Sequence, residues 1–144
     1  MTHQIVSQNR KARFNYHISS NLEAGIILTG TEVKSLRRGQ ASIVEAYAGE
    51  IGGELFLLNA NIPEFLEANR FNHAPKRPRK LLVKKRELSR LLSSIARKGM
   101  TVVPLSIYFN ERGIAKVDLG IAQGKNQADK RSEEHTSELQ SRLQ

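Results

Sequence analysis

Apolar residues in this chain come in short runs closed off by glycine, proline or asparagine, and only one stretch sustains a helical period. Leu88, Leu91, Leu92 and Ile95 fall at i, i+3, i+4 and i+7, which predicts one amphipathic helix over residues 85–98, ended by Gly99. A chain with a single sustained helix and many punctuated short runs is neither a helix bundle nor a βαβ wrap. It has to bury its apolar residues in antiparallel strands joined by tight turns.

Alternation at Phe14, Tyr16 and Ile18 predicts a half-buried strand, and Gly25-Ile26-Ile27-Leu28 a second. Residues 43–48 and 55–59 read as strands around the hairpin signal Gly49-Glu50-Ile51-Gly52-Gly53. Residues 101–109 and 114–120 form another pair around Asn110-Glu111-Arg112-Gly113, and Pro104 places the first of them at an edge or a bulge. Thr31 is the expected N-cap of a short helix carrying Glu32, Val33, Leu36 and Arg37 and stopped by Gly39. Residues 63–79, with Pro63, Pro75 and Pro78, predict an irregular connection containing one helical turn at 64–68. Six short strands with a few short helices in 144 residues point to one mainly β domain, a small antiparallel barrel of the oligonucleotide-binding type.

The charge supplies the first hint of a partner. Twenty-three Lys and Arg against 14 Asp and Glu give +9, a balance that favours a polyanion, nucleic acid above all. Nine of the cations fall within residues 70–90, against the single acid Glu87. In Pro75-Lys76-Arg77-Pro78-Arg79-Lys80 two prolines stiffen a run of four cations, so less ordering entropy is lost when phosphate contacts form. Lys76, Arg77, Arg79 and Lys80 are therefore RNA-contact candidates. Arg10-Lys11-Ala12-Arg13 reads, taken alone, as a solvated basic end, and Glu32 and Lys34 as residues that solubilise the outer face of their helix.

Several chemistries are disfavoured. There is no cysteine, and His3, His17, His73 and His135 are scattered without ligand spacing, so no metal is expected. No phosphate-cradling glycine loop and no nucleophile elbow is present, and neither a cofactor nor a catalytic residue is expected. No apolar run approaches the ~20 residues that cross a bilayer, and residues 1–8 lack the apolar stretch of a secretory signal, so the expected location is the cytoplasm. Anionic lipid is the competing partner, but the 85–98 helix has no aromatic anchor for a membrane surface. A metal-free RNA-processing enzyme is a third reading, and it lacks paired acids or a histidine beside a nucleophile.

Gly30-Thr31-Glu32-Val33-Lys34-Ser35-Leu36-Arg37 resembles the signature of the small protein B family, the SsrA-binding proteins that partner transfer-messenger RNA in bacterial ribosome rescue. Other blocks agree in order: Asn9-Arg10-Lys11-Ala12, Glu23-Ala24-Gly25-Ile26, Arg79-Lys80-Leu81-Leu82, Gly99-Met100-Thr101-Val102-Val103-Pro104-Leu105 and Gly120-Ile121-Ala122-Gln123-Gly124-Lys125. The resemblance implies a monomeric barrel, spanning residues 1–124, that holds the tRNA-like domain of transfer-messenger RNA and enters a stalled ribosome with it. By the same resemblance Asn9, Glu23 and Leu82 stand at RNA-contacting positions. Lys11, Lys34, Arg37, Arg79 and Lys80 become phosphate partners, and Arg10 and Lys125 join the RNA-binding residues. An acid on such a surface repels phosphate, so Glu23 is expected to accept from a base or a 2′-hydroxyl.

Residues 125–131 resemble the family's link into its C-terminal tail, with Asp129, Lys130 and Arg131 as the element used near the decoding centre of the small subunit. Ala128 departs from the aromatic or histidine that many members carry there. Beyond Arg131 the agreement stops. Residues 132–144 hold Glu133, Glu134 and Glu138 against one Arg142, where the family continues with a long basic tail. This run is similar to the in-frame translation of a synthetic sequencing adapter, and it is expected to be disordered and foreign to the family.

Overall fold

The computed structural model describes residues 4–66 and 72–124. In chain order these form β1 (Gln4–Gln8), α1 (Lys11–Asn15), β2 (Tyr16–Ile26), α2 (Gly30–Arg37), β3 (Tyr47–Ile51), β4 (Glu54–Leu58), β5 (Arg79–Leu82), α3 (Lys85–Ala96), β6 (Met100–Phe109) and β7 (Ala115–Gly124). The class is mainly β, as the turn pattern requires, with seven strands among the described residues rather than six. The strands pair in the order β1-β6-β3-β4-β5-β2-β7, every pair antiparallel, and β7 pairs again with β6. The ladder thus returns on itself: β2 to β7 form a ring. β1 lies beyond β3 along β6, opposite Ser106 to Phe109.

Both expected hairpins are present, but Gly49, Glu50 and Ile51 of the first hairpin signal belong to β3 and only Gly52-Gly53 form its turn. Gly52 and Gly53 both have positive φ, at 60° and 82°, the geometry of a two-residue turn whose twist matches the strands it joins. Pro104 sits at a bulge, since the β6–β7 register shifts between Pro104 and Ser106. α3 buries Leu91 completely, with Leu88, Leu92 and Ile95 packed partly against the core. Leu36 of α2 joins Ile43, Leu55, Leu57, Ile62, Val102, Ile107, Val117 and Leu119 in the interior, each worth about 1.5–3 kcal/mol of burial. A smaller cluster, Ala12 with Val103 and Ala122, fastens α1 to the sheet.

Several boundaries differ from the sequence expectation. β2 is one strand of 11 residues rather than two short ones, and Phe14 belongs to α1. The apolar alternation lapses at Ser19-Ser20-Asn21, where the β2–β7 register shifts between Ile18 and Ser20. β1 and β5 carry too little apolar pattern to announce themselves, and each becomes a strand by pairing with a neighbour. Residues 43–46 turn before β3 begins, with Ala46 N–H donating to the Ile43 carbonyl at 3.1 Å. The cap of α2 is Thr29, not Thr31: its hydroxyl accepts from Glu32 N–H, and the Glu32 carboxylate accepts from Thr29 N–H at 2.8 Å. The helical turn expected at 64–68 runs into residues outside the described ones.

Candidate nucleic-acid interface

Strand alternation decides which of the expected contacts reach the surface. In β5, Arg79 and Leu81 point inward and Lys80 and Leu82 outward, because successive side chains lie on opposite faces. Leu82 is 49% exposed and stands opposite Gly25 of β2, where an added Cβ would meet the Leu82 side chain at 3.4 Å. Lys80 is half-exposed and pairs with Glu54 at 2.7 Å. That exposed pair is a weak tether, worth about 0–1 kcal/mol, which a phosphate can displace. Ala24 and Ile26 turn into the core while Glu23 faces out, beside Asp118 of β7 as its direct cross-strand neighbour. Glu23, Lys80 and Leu82 therefore share one face of the barrel.

Two neutral donors serve the adjacent carboxylates. The Tyr108 hydroxyl donates to Glu23 Oε2, and Asn21 Nδ2 donates to Asp118 Oδ1 at 3.0 Å. Burial and the nearby Glu23 and Asp118 charges push the Tyr108 phenol well above its ordinary range, so it remains a donor. Tyr108 and Asp118 were not among the expected site residues. Alternation of Ala115, Val117 and Leu119 with Lys116 and Asp118 in β7 is the signal that could have found Asp118, whereas Tyr108 sits in the unbroken apolar run Ile107-Tyr108-Phe109 and carries no such signal.

The Arg79 expectation is overturned. Its guanidinium is fully buried: Nε donates to Glu32 Oε2 at 2.7 Å, Nη1 to the Ala60 carbonyl at 2.9 Å and Nη2 to the Pro75 carbonyl at 2.9 Å. Its burial leaves no exposed surface for a phosphate contact. Arg77 donates to the same carboxylate through Nε at 3.0 Å and Nη2 at 2.7 Å, with about a third of its side chain exposed. Glu32, expected on the outer face of its helix, is instead enclosed as the centre of this network. Burial pushes the Glu32 carboxyl up, but the Arg77 hydrogen bond, the Thr29 N–H and the Arg79 charge outweigh it and hold the group at about 2. The stiff basic run is thus an anchor that ties β5 to α2, and Lys76 and Lys80 are what it leaves toward solvent.

Asn9 is also inside. Its Nδ2 donates to the carbonyls of Pro104 at 3.1 Å and Ile43 at 3.3 Å, and its N–H donates to Leu105 at 2.9 Å, so it closes the β6 bulge. Arg10 and Lys11 are exposed around the start of α1. Lys34 lies 5.6 Å from the Phe65 ring centre; Arg37 stacks at 4.3 Å on Phe109 and donates to the Gly113 carbonyl at 3.1 Å. These rings help to hold the cations of α2 in place. Buried His73 bonds Thr31 Oγ1 and the Ile62 carbonyl, each at 2.8 Å. Among the described residues no three His, Cys, Asp or Glu side chains come together as a metal site, and no helix is long and apolar enough to cross a membrane. Lys125, Asp129, Lys130 and Arg131 lie outside the described residues.

The family model described as SmpB protein matches residues 6–144 and so runs through the segment 132–144 that the sequence reading sets apart from the family. An SsrA-binding protein of Novosphingobium aromaticivorans is 60% identical over 129 residues, covering 90% of this chain and 81% of the relative. That of Methylobacterium nodulans is 63% identical over 128 residues, with 89% and 82% covered, and that of Rhizobium johnstonii 58% identical over 134, with 93% and 89%. Among solved structures, a chain described under "tmRNA-SmpB: a journey to the center of the bacterial ribosome" is similar with a TM-score of 0.70 and 48% identity, over 87% of this chain and 91% of that one.

Proposed function

The chain belongs to the SmpB protein family, and on that premise we propose that it binds the tRNA-like domain of transfer-messenger RNA and brings that RNA to stalled bacterial ribosomes. The observation that carries the reading is the sheet face on which Lys80 and Leu82 emerge beside Glu23 from strands whose alternate residues are enclosed. Such a face offers a cation for phosphate, an apolar side chain for a ribose or base, and an acceptor for a base edge or a 2′-hydroxyl, the combination that structured RNA needs. Lys76, Arg10, Lys11, Lys34 and Arg37 add phosphate contacts around it. From the sequence resemblance alone, Lys125 is assigned a further RNA contact, and Asp129, Lys130 and Arg131 contacts to the decoding region of the small subunit. The protein acts in the cytoplasm as a monomer without cofactor, and its work is binding rather than catalysis.

The test is a binding titration of the full chain against the isolated tRNA-like domain over a range of salt. With about five phosphates neutralised, log affinity falls against log salt with a slope of roughly −4. A flat salt response, or equal affinity for the tRNA-like domain and a generic duplex, refutes the proposal.

A further inference from the structure

Glu23 is an exposed side chain on β2 and Asp118 is its direct partner on β7. Two like charges at facing positions repel each other and cost stability, and among the described residues neither is neutralised by an ion pair. Each is served instead by a neutral donor, Asn21 for Asp118 and the Tyr108 hydroxyl for Glu23. Tyr108 starts on β6, opposite Lys116, and reaches across β7 to do so. Its ring is 7% exposed, so its geometry is fixed by packing. The four residues line a shallow recess of about 350 Å³ with Ile5 and Leu22 as apolar walls.

We propose that Tyr108 is the residue that positions Glu23 for RNA: its hydroxyl holds Oε2 and thereby directs Oε1 at the hydrogen-bond donors of a nucleotide seated against Ile5 and Leu22. An exposed glutamate has three rotatable bonds and would otherwise lose their entropy on binding. A hydroxyl anchored on a packed ring removes most of that loss in advance, without the cation that would invite phosphate into the recess. The ligand is a nucleotide presenting an amino, imino or 2′-hydroxyl donor, because carboxylates accept and do not donate when ionised. This inference rests on the RNA-binding reading above and deepens it.

The experiment compares the full chain with Tyr108→Phe, Glu23→Gln and the double variant, each binding the tRNA-like domain and a generic RNA duplex of equal length over a salt series. Tyr108→Phe keeps the packed ring and removes the hydroxyl. It is expected to lose about 10-fold on the tRNA-like domain, the scale of one hydrogen bond to a charged group, with little change on the duplex and an unchanged salt slope. In the Glu23→Gln background it is expected to add almost nothing. If Glu23→Gln loses selectivity while Tyr108→Phe binds as the parent does, or if the two losses add, the positioning role is overturned and the RNA-binding reading stands. If the parent chain shows no preference for the tRNA-like domain, the reading itself falls and this role with it. Should Tyr108→Phe melt early, the surface variant Glu23→Asp decides. It keeps the charge but withdraws the carboxylate from the hydroxyl by one methylene, so it is expected to lose selectivity as Glu23→Gln does, and parent-like selectivity would refute the proposal.

Discussion

Replacing Glu32 by glutamine removes one negative charge from the interior and leaves two guanidinium groups without it. The carboxylate accepts four hydrogen bonds: Arg79 Nε at 2.7 Å, Arg77 Nε at 3.0 Å, Arg77 Nη2 at 2.7 Å and Thr29 N–H at 2.8 Å. Glutamine is nearly the same size, but half of its terminal group donates and would face an arginine with the wrong polarity. The network holds the carboxyl at about 2 against an ordinary 4.5, a preference for the charged form of about 3 kcal/mol. That agrees with the 3–5 kcal/mol typical of breaking one side of a buried pair. For a domain of this size the loss is expected to lower Tm by roughly 10 °C at pH 7. The folded-state pKa is depressed, so the contribution is complete above about pH 5 and fades as pH falls toward 2. The gap between parent and Glu32→Gln should therefore be widest near neutrality and close across that acid range. Thermal unfolding of both proteins from pH 7 to pH 2.5 reads it directly. A gap below about 1 kcal/mol, or one independent of pH, would refute the argument that this network anchors β5. Because Arg79 begins β5, the same variant should also speed amide exchange at Leu81 and Leu82 before global unfolding.

Lys80→Ala and Arg79→Ala should separate surface from anchor: the first weakens every RNA and makes the salt slope shallower by about one, while the second lowers Tm by several degrees, which circular dichroism melting will show. Thr29→Ala removes the capping hydroxyl of α2 and should cost about 1 kcal/mol in denaturant unfolding; an unchanged midpoint would mean that the cap is dispensable. Asn9→Ala loses both carbonyl contacts at the β6 bulge and should reduce RNA affinity only in proportion to lost stability, so a fully stable variant with impaired binding would return Asn9 to the RNA surface. In a reconstituted assay on stalled ribosomes, the chain with residues 132–144 as given should bind transfer-messenger RNA yet support little peptidyl transfer, since Glu133, Glu134 and Glu138 repel the phosphates of the messenger channel. A basic segment in their place should restore transfer, and full activity of the unaltered chain would overturn that view of the tail.

The sequence by itself determined the class of fold, the long amphipathic helix, the hairpins and an edge or a bulge at Pro104, which the structure makes a bulge. Each of these is local: a period of 3.6 through Leu88 to Ile95, a pair of glycines between Ile51 and Glu54, a residue without an N–H. The block pattern around residues 30–37 determined the family in the same way, since a motif is read along the chain. What the tertiary structure alone decided is which charges are available. Glu32 and Arg79 lie 47 positions apart, and nothing along the chain says that one will enclose the other. As isolated residues on a helix and in a basic run, both read as surface. Their burial is decided where β5 closes the barrel against α2, because only there can a carboxylate, two guanidinium groups and the carbonyls of Ala60 and Pro75 satisfy one another away from water. Tyr108 and Glu23, 85 positions apart, meet for the corresponding reason on the outside, across the width of one intervening strand. Patterning fixes which residues face the core, and ring closure fixes which distant partners they find.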